Sequence, residues 1–310
     1  MKYGITTLVA SPSIVEIDEA QYKAIKYAMA NLFEMLYLEE NLDLVTENFQ
    51  EYEVELLSIA SRNTVFDNFD YFSMGRERNV VCRRIVNLLS ACRMYLDQSI
   101  HHITNIYGEN SDIVNLIKKE IASQYDQNFG YRVMEALRNY TQHRGFPVHS
   151  ISFPGKWLNI DDSRNSRLRH TVIPSINVSK LAEDGNFKQS ILGEMNTVAI
   201  KDKIDLRPLI RSYVESIGKT HEKARELSCK DVEKWEELIE DAIKLFQGAF
   251  GPDASRASLY LVAEKDNRWI ERRSIFKEFI EKRRILESKN RVFVNLHKRY
   301  ASNEIEQKDG

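Results

Sequence analysis

Only three cysteines, Cys82, Cys92 and Cys229, occur in 310 residues. An odd number at such wide spacing builds neither a disulfide framework nor a zinc site. Cys82 and Cys92 fall in one helical run, where the expected role is that of a small buried apolar residue. No stretch approaches the ~20 apolar residues of a membrane span, and the N-terminal apolar run is too short for a secretory signal. These absences predict a cytoplasmic protein with no membrane partner. The net charge of -2 gives no global pull toward nucleic acid, so any such surface must be local. Also missing are a Gly-x-x-x-x-Gly-Lys-Ser/Thr phosphate loop, a Gly-x-Ser-x-Gly nucleophile turn, a His-Glu-x-x-His zinc helix and a Gly-rich dinucleotide turn. His101 and His102 are adjacent, so on a helix they point apart and make a poor metal pair. No cofactor and no metal site is expected.

What is present is mostly helical patterning. Hydrophobic residues at 43% and charged residues at 29% suit a globular chain, long enough for one elaborated domain or two. Ile5 to Ala10 reads as a short strand. Apolar residues at three- and four-residue spacing predict helices over Ile17 to Glu40, Val45 to Ile59, Arg76 to Tyr107, Asp112 to Gln127 with Ser111 as N-cap, and Tyr131 to His143. Asp67 to Asp70 reads as a loop. The first 149 residues thus form an antiparallel helical bundle in outline.

Past Pro147 the texture alternates. Ile151 to Phe153, Thr171 to Val178 and Thr197 to Ile200 read as strands, so residues 150–203 are expected to be a β-rich insertion. Residues 204–250 return to helix, with one helix from Leu206 to Thr220 and another from Lys230 to Gln247, opened by Ser228-x-x-Asp231. Gly251-Pro252-Asp253 marks a boundary. Residues 251–310 form a basic C-terminal region: strand-like Leu259 to Val262, a helix around Ser274 to Leu286, strand-like Val292 to Leu296 and a polar, disordered tail from Ser302.

Chemistry shows in Glu135 to Val148. Gly145 and Pro147 stop any helix soon after His143, so Arg138, Asn139 and His143 sit in its last turns. Arg supplies a permanent cation with a fork of donors, and His exchanges protons near neutrality; together they can cleave a phosphodiester without a metal. Three other Arg and His pairs have similar spacing. Arg144 with His149 spans Gly145 and Pro147, Arg164 with His170 lacks an apolar period, and Arg291 with His297 brackets a strand-like run. Residues five apart point about 140° away from each other on a regular helix, whereas Asn139 and His143, four apart, share a face. Either the helix unwinds before Gly145, or a second protomer supplies half of the site.

Arg138-Asn139-x-x-x-His143, late in a helix of a helical chain, resembles the Arg-x(four to six)-His motif of the HEPN superfamily. The resemblance implies a mainly α fold: a HEPN-like antiparallel bundle, here with the β-rich insertion and a small α/β C-terminal region. It implies a metal-independent endoribonuclease of the toxin or antiviral-defence type, with Arg138 and His143 as the catalytic pair and Asn139 as the supporting polar residue. It also implies a homodimer that completes the site, an RNA substrate and, for a toxin, an antitoxin or regulatory partner. Related toxins carry Tyr two residues after the His, where Gly145 stands here. The competing reading is a catalytically silent helical adaptor or antitoxin-like protein.

Two further places suit RNA. On the polar side of the Arg76 to Tyr107 helix, Arg84 or Asn87 is positioned to reach the motif helix of a hairpin neighbour. From Arg268 to Arg299 there are 11 Lys and Arg against four Glu, with Trp269, Phe276 and Phe293 interleaved, which makes Arg272, Arg273, Arg283 and Arg284 candidate RNA contacts.

Overall fold

Two strands, β1 (Lys2–Thr7) and β2 (Ile14–Ile17), precede four helices: α1 (Glu19–Val65), α2 (Tyr71–Tyr107), α3 (Asp112–Gln127) and α4 (Phe129–His143). Then come β3 (Ser150–Ser152), β4 (Gly155–Leu158), β5 (Arg167–His170), β6 (Ile173–Asn177), α5 (Val178–Glu183), α6 (Gln189–Val198) and β7 (Lys203–Asp205). The chain closes with α7 (Leu206–Phe250), β8 (Leu259–Lys265), β9 (Arg268–Ile275), α8 (Glu278–Lys289) and a 3₁₀ turn at Leu296–Lys298. This computed structural model describes residues 1–7, 14–66, 70–158, 166–253, 258–291 and 295–301. The fold is mainly helical, with antiparallel sheets ordered β2-β1-β8-β9, β3-β6-β7 and β4-β5. No described helix is long and apolar enough to cross a membrane.

Several elements differ from the sequence reading. Helix α1 is continuous where two helices were expected, and so is α7. Ser228, read as a helix start, lies inside α7 with its hydroxyl donating to the Ala224 carbonyl at 2.8 Å. Helix α2 begins at Tyr71 because Asp70 caps it, accepting from the Phe72 and Ser73 amides at 2.8 and 3.0 Å. Residues 150–203 hold two helices as well as strands. Thr197 and Val198 end α6, whose Ile191, Leu192 and Met195 are buried at helical spacing, and Ile200 makes only an isolated bridge to Lys203. Strand β9 covers part of what the sequence assigned to a helix. Val292 to Val294 and the tail from Ser302 lie outside the described residues.

The chain divides into two compact units. One comprises residues 1–43, 95–119 and 221–291; the other comprises 44–94, 120–220 and 292–310. In the first, Ile5, Leu261 and Ala263 are buried in the four-stranded sheet, and Glu271 of β9 accepts from Tyr22 at 2.9 Å and Lys26 at 2.7 Å, both on α1. Phe33 stacks on Phe279 of α8 with centroids 4.7 Å apart.

The middle of this unit is polar. Glu39, Tyr95 and His221 have no exposed surface. Arg225 grips Glu39 through Nε at 2.8 Å and Nη2 at 2.5 Å, and its Nη1 donates to the Asn290 carbonyl at 3.1 Å. His221 places Nε2 3.2 Å from Glu39 and Nδ1 3.0 Å from the Tyr95 hydroxyl. Burial pushes the Glu39 carboxyl up, but Arg225 and His221 outweigh it and hold it at about 2. Burial pulls the His221 imidazole down, so it is neutral near pH 7.

Candidate active site on helix α4

Helix α4 belongs to the second unit and is fixed at its start by Asn128. In extended conformation, Asn128 accepts the Tyr131 amide through Oδ1 at 3.2 Å, as an N-cap does. The same oxygen accepts the Ser212 hydroxyl at 2.9 Å, and Nδ2 donates to Ser216 Oγ at 2.7 Å, so the cap is bolted to α7. Gly130 permits this approach: a Cβ there would lie 3.0 Å from the Ser212 side chain and 3.1 Å from the Leu209 carbonyl. Tyr131, Val133, Met134 and Leu137 form the buried face. Tyr131 meets Tyr213 edge-on with centroids 5.0 Å apart, and the Tyr213 hydroxyl donates to Glu135, whose other oxygen lies 3.5 Å from Arg93 of α2. Further on, Cys82 of α2 points its thiol at the Val148 carbonyl, 3.8 Å away. The two contacts, 93 with 135 and 82 with 148, set α2 and α4 antiparallel in this unit.

The helix does not unwind before Gly145. It runs through His143, and the amides of Arg144 and Gly145 both donate to the Tyr140 carbonyl, at 2.8 and 3.3 Å. Gly145 is needed for close approach: a Cβ would fall 2.6 Å from the Tyr140 hydroxyl. The Tyr140 ring itself packs edge-on against His149 and Phe187. His149 is an anchor here, its Nδ1 accepting the Asn177 amide at 3.1 Å. Burial and nearby Lys180 hold its pKa below the ordinary value, so the imidazole is neutral with Nε2 protonated.

Asn139 and His143 lie on the side of α4 away from the buried face, whereas Arg138, four residues after buried Met134 and seven after buried Tyr131, lies at the edge of that face. His143 and Asn139 are exposed, and Arg138 is half-buried. The Arg138 Nη1 donates to Asn139 Oδ1 at 3.0 Å, while its Nε is buried without a partner. That bond draws the guanidinium round the helix toward the face Asn139 shares with His143. The Cβ vectors of Arg138 and His143 diverge by about 140°, and the hydrogen bond to Asn139 links the arginine to the residue that shares a face with His143. No carboxylate pairs with any of the three among the described residues.

The other sequence candidates divide sharply. Arg84 is held by α1, bonded to Glu51 and lying 3.7 Å from Glu55, whereas Asn87 is exposed. Arg283 is 7% exposed and locked to Glu236 at 2.7 Å and Glu287 at 3.0 Å, which leaves no donor face for a phosphate. Arg284 shares Glu236 at 2.6 Å, and Arg273 pairs with Glu271 at 2.7 Å. Arg272 lies over the Tyr260 ring, 5.4 Å from its centroid, without an ion pair among the described residues. The positive charge after residue 268 is thus largely spent on ion pairs within the fold, Arg283 and Arg284 joining α8 to α7 and Lys282 and Lys289 joining it to α1. Among the described residues no group of three or more His, Cys, Asp or Glu is placed to hold a metal ion. Compared with protein-family models, curated proteins and solved structures, the chain matches none.

Proposed function

We propose that the protein is a metal-independent endoribonuclease of the toxin or antiviral-defence type, acting through Arg138, Asn139 and His143. The observation that carries this reading is the Arg138 to Asn139 hydrogen bond beside an exposed, unpaired His143 on a helix that stays regular to its last residue. A phosphate meeting this face finds a guanidinium, already oriented by an amide, and an imidazole free to exchange a proton. His143 removes the ribose 2′-OH proton or protonates the leaving 5′-oxygen, and Arg138 neutralises charge on the phosphoryl oxygens. Attack by the 2′-oxygen on phosphorus expels the 5′-oxygen and leaves a 2′,3′-cyclic phosphate. A second protomer, related by a two-fold axis through this face, supplies the second His143 and encloses the RNA.

The test is cleavage of single-stranded RNA by the purified protein in excess chelator. Cyclic phosphate ends and an intact all-deoxy strand are expected. Arg138→Ala should lower kcat/KM about 10²- to 10³-fold and His143→Ala about 10²- to 10⁴-fold. Mixing the two inactive variants restores part of the activity if one cleft uses both chains. Cleavage of DNA, or full activity in either variant, refutes the mechanism; intact RNA with a stable protein leaves the adaptor reading standing.

A further inference from the structure

Helix α2 carries a second polar feature that the motif does not use. Arg76, Asn79, Arg83, Asn87 and Ser90 are all exposed. On a regular helix they fall within a sector of about 80° and span about 21 Å. The stripe contains no carboxylate, and Arg76 and Arg83 stand in no ion pair among the described residues. At its N-terminal end lies a cavity of about 240 Å³ lined by Arg62, Asn63, Phe66, Arg76, Glu77 and their neighbours Ser73 and Val80. Within the cavity's lining, Asn63 has a buried Nδ2 with no partner. Arg62 is tied back, 3.7 Å from both Glu55 and Glu77. Phe66, in the lining, is 57% exposed, and at the start of α2 Tyr71 and Phe72, with ring centroids 5.9 Å apart, are 86% and 81% exposed.

Exposed aromatic rings of this kind offer faces on which another ring can stack. The chemistry beside them narrows what that is. An apolar protein partner does not call for an acid-free stripe of Arg, Asn and Ser, whereas a phosphodiester strand does. The cavity is smaller than the roughly 300–1,000 Å³ of a drug-sized ligand site, so it suits a single planar base. Asn63 offers a donor, Glu77 offers acceptor oxygens and Phe66 offers a ring face.

The antiparallel setting of α2 and α4 gives the spacing. Arg93 pairs with Glu135, so His143, eight residues later, is level with about residue 85 of α2. Glu77 is a further eight residues along, or about 12 Å. That is roughly two nucleotides of extended strand beyond the motif.

From these observations we infer that the cavity lined by Asn63, Phe66 and Glu77 binds an unpaired base of single-stranded RNA and that the Arg76-to-Ser90 stripe carries its phosphates toward α4. The inference rests on the ribonuclease reading for the identity of the strand, but its test does not depend on cleavage. A fluorescently labelled 12-nucleotide RNA, 2′-O-methylated throughout, cannot be cut by 2′-oxygen attack. Its binding is measured by anisotropy over a range of salt for the full chain, for Phe66→Ala and for Arg76→Ala/Arg83→Ala, all substitutions at solvent-facing positions.

Phe66→Ala should weaken binding about tenfold, the loss of one base stack. The double variant should reduce the slope of log affinity against log salt by about 1.4, or about 0.7 for each phosphate that an arginine no longer neutralises. Each variant should melt with the wild type. Unchanged affinity and slope in both variants overturn the inference, as does a wild type that binds no strand. A change in sedimentation without a change in RNA affinity also overturns it, because the tip is then a protein contact. Cleavage with unaltered binding by the variants refutes this site alone; binding that follows the variants without any cleavage refutes the ribonuclease reading alone.

Discussion

Glu39 is a buried charge whose loss should cost the first unit heavily. Its carboxylate is fully buried and holds Arg225 through two short bonds, with His221 alongside. Glu39→Gln keeps the shape but removes the charge, leaving a largely buried guanidinium without its anion. Breaking a buried pair from one side costs about 3–5 kcal/mol. For 310 residues, the unfolding entropy near Tm is about 0.65 kcal/mol per kelvin, so Tm should fall by about 5–8 °C. Replacing both partners, Glu39→Met with Arg225→Met, should recover most of that loss, because neither charge is then stranded.

The same group sets an acid limit. Its carboxyl stands at about 2 when folded, against 4.5 for the free side chain. The stabilisation of about 3 kcal/mol is complete above pH ~4.5 and lost as pH falls toward 2, with about 2 kcal/mol gone by pH 3. His221, pulled down by burial, acts in the same direction: below pH ~6.5 the unfolded chain takes a proton there that the folded chain refuses. Thermal melts by circular dichroism at pH 7 and at lower pH measure both effects. A Glu39→Gln protein that melts within about 1 °C of the wild type and keeps the same pH dependence would refute the argument.

Three further outcomes follow from α4 and α8. Asn128→Ala removes the cap and three bonds to α7 and should cost about 2–3 kcal/mol in urea unfolding; Asn128→Asp keeps the accepting oxygen and should cost about half as much. Gly145→Ala drives a methyl into the Tyr140 hydroxyl and should cost about 1–3 kcal/mol, partly relieved by adding Tyr140→Phe. Arg283→Ala, by opening the Glu236 and Glu287 pairs, should lower Tm without altering any affinity for the 2′-O-methylated strand; a loss of affinity at constant Tm would return that arginine to the candidate RNA contacts.

Helix α3 was legible to the residue because its apolar period and its Ser111 cap agree, and the Ser111 hydroxyl does accept the Val114 amide at 3.3 Å. Helices α1 and α7 were each cut in two by the sequence reading; on α1 the apolar period runs on through buried Leu38, Leu42 and Val45, whereas on α7 it lapses. Thr220, His221, Ala224 and Ser228 are buried at helical spacing, but three of the four are polar, as is buried Glu39 on α1. Apolar periodicity disappears where the core is built from an ionic network, so a continuous helix reads as a gap. The Arg138, Asn139 and His143 cluster stood out in the sequence by residue type, and the structure places all three on α4. What spacing alone did not reveal is that Asn139 turns the Arg138 side chain round the helix. The α2 cavity was missed because its parts come from two helices; the one visible signal was an aromatic run, Phe66, Phe69, Tyr71 and Phe72, flanked by arginines.

The cap of α4 has a bearing on how the chain is made. Asn128 is satisfied by Ser212 and Ser216, which leave the ribosome more than 80 residues after it. At about 5–20 residues per second, a nascent chain exposes the Arg138 to His143 segment for roughly 4–15 s before the helix that anchors it exists. Sheet strand β1 waits longer still, since its partner β8 begins at Leu259. The cap of α4 and the pairing of β1 are thus both completed only by later-made parts of the chain, and a fragment that stops before Ser212 lacks the second half of the cap's anchor.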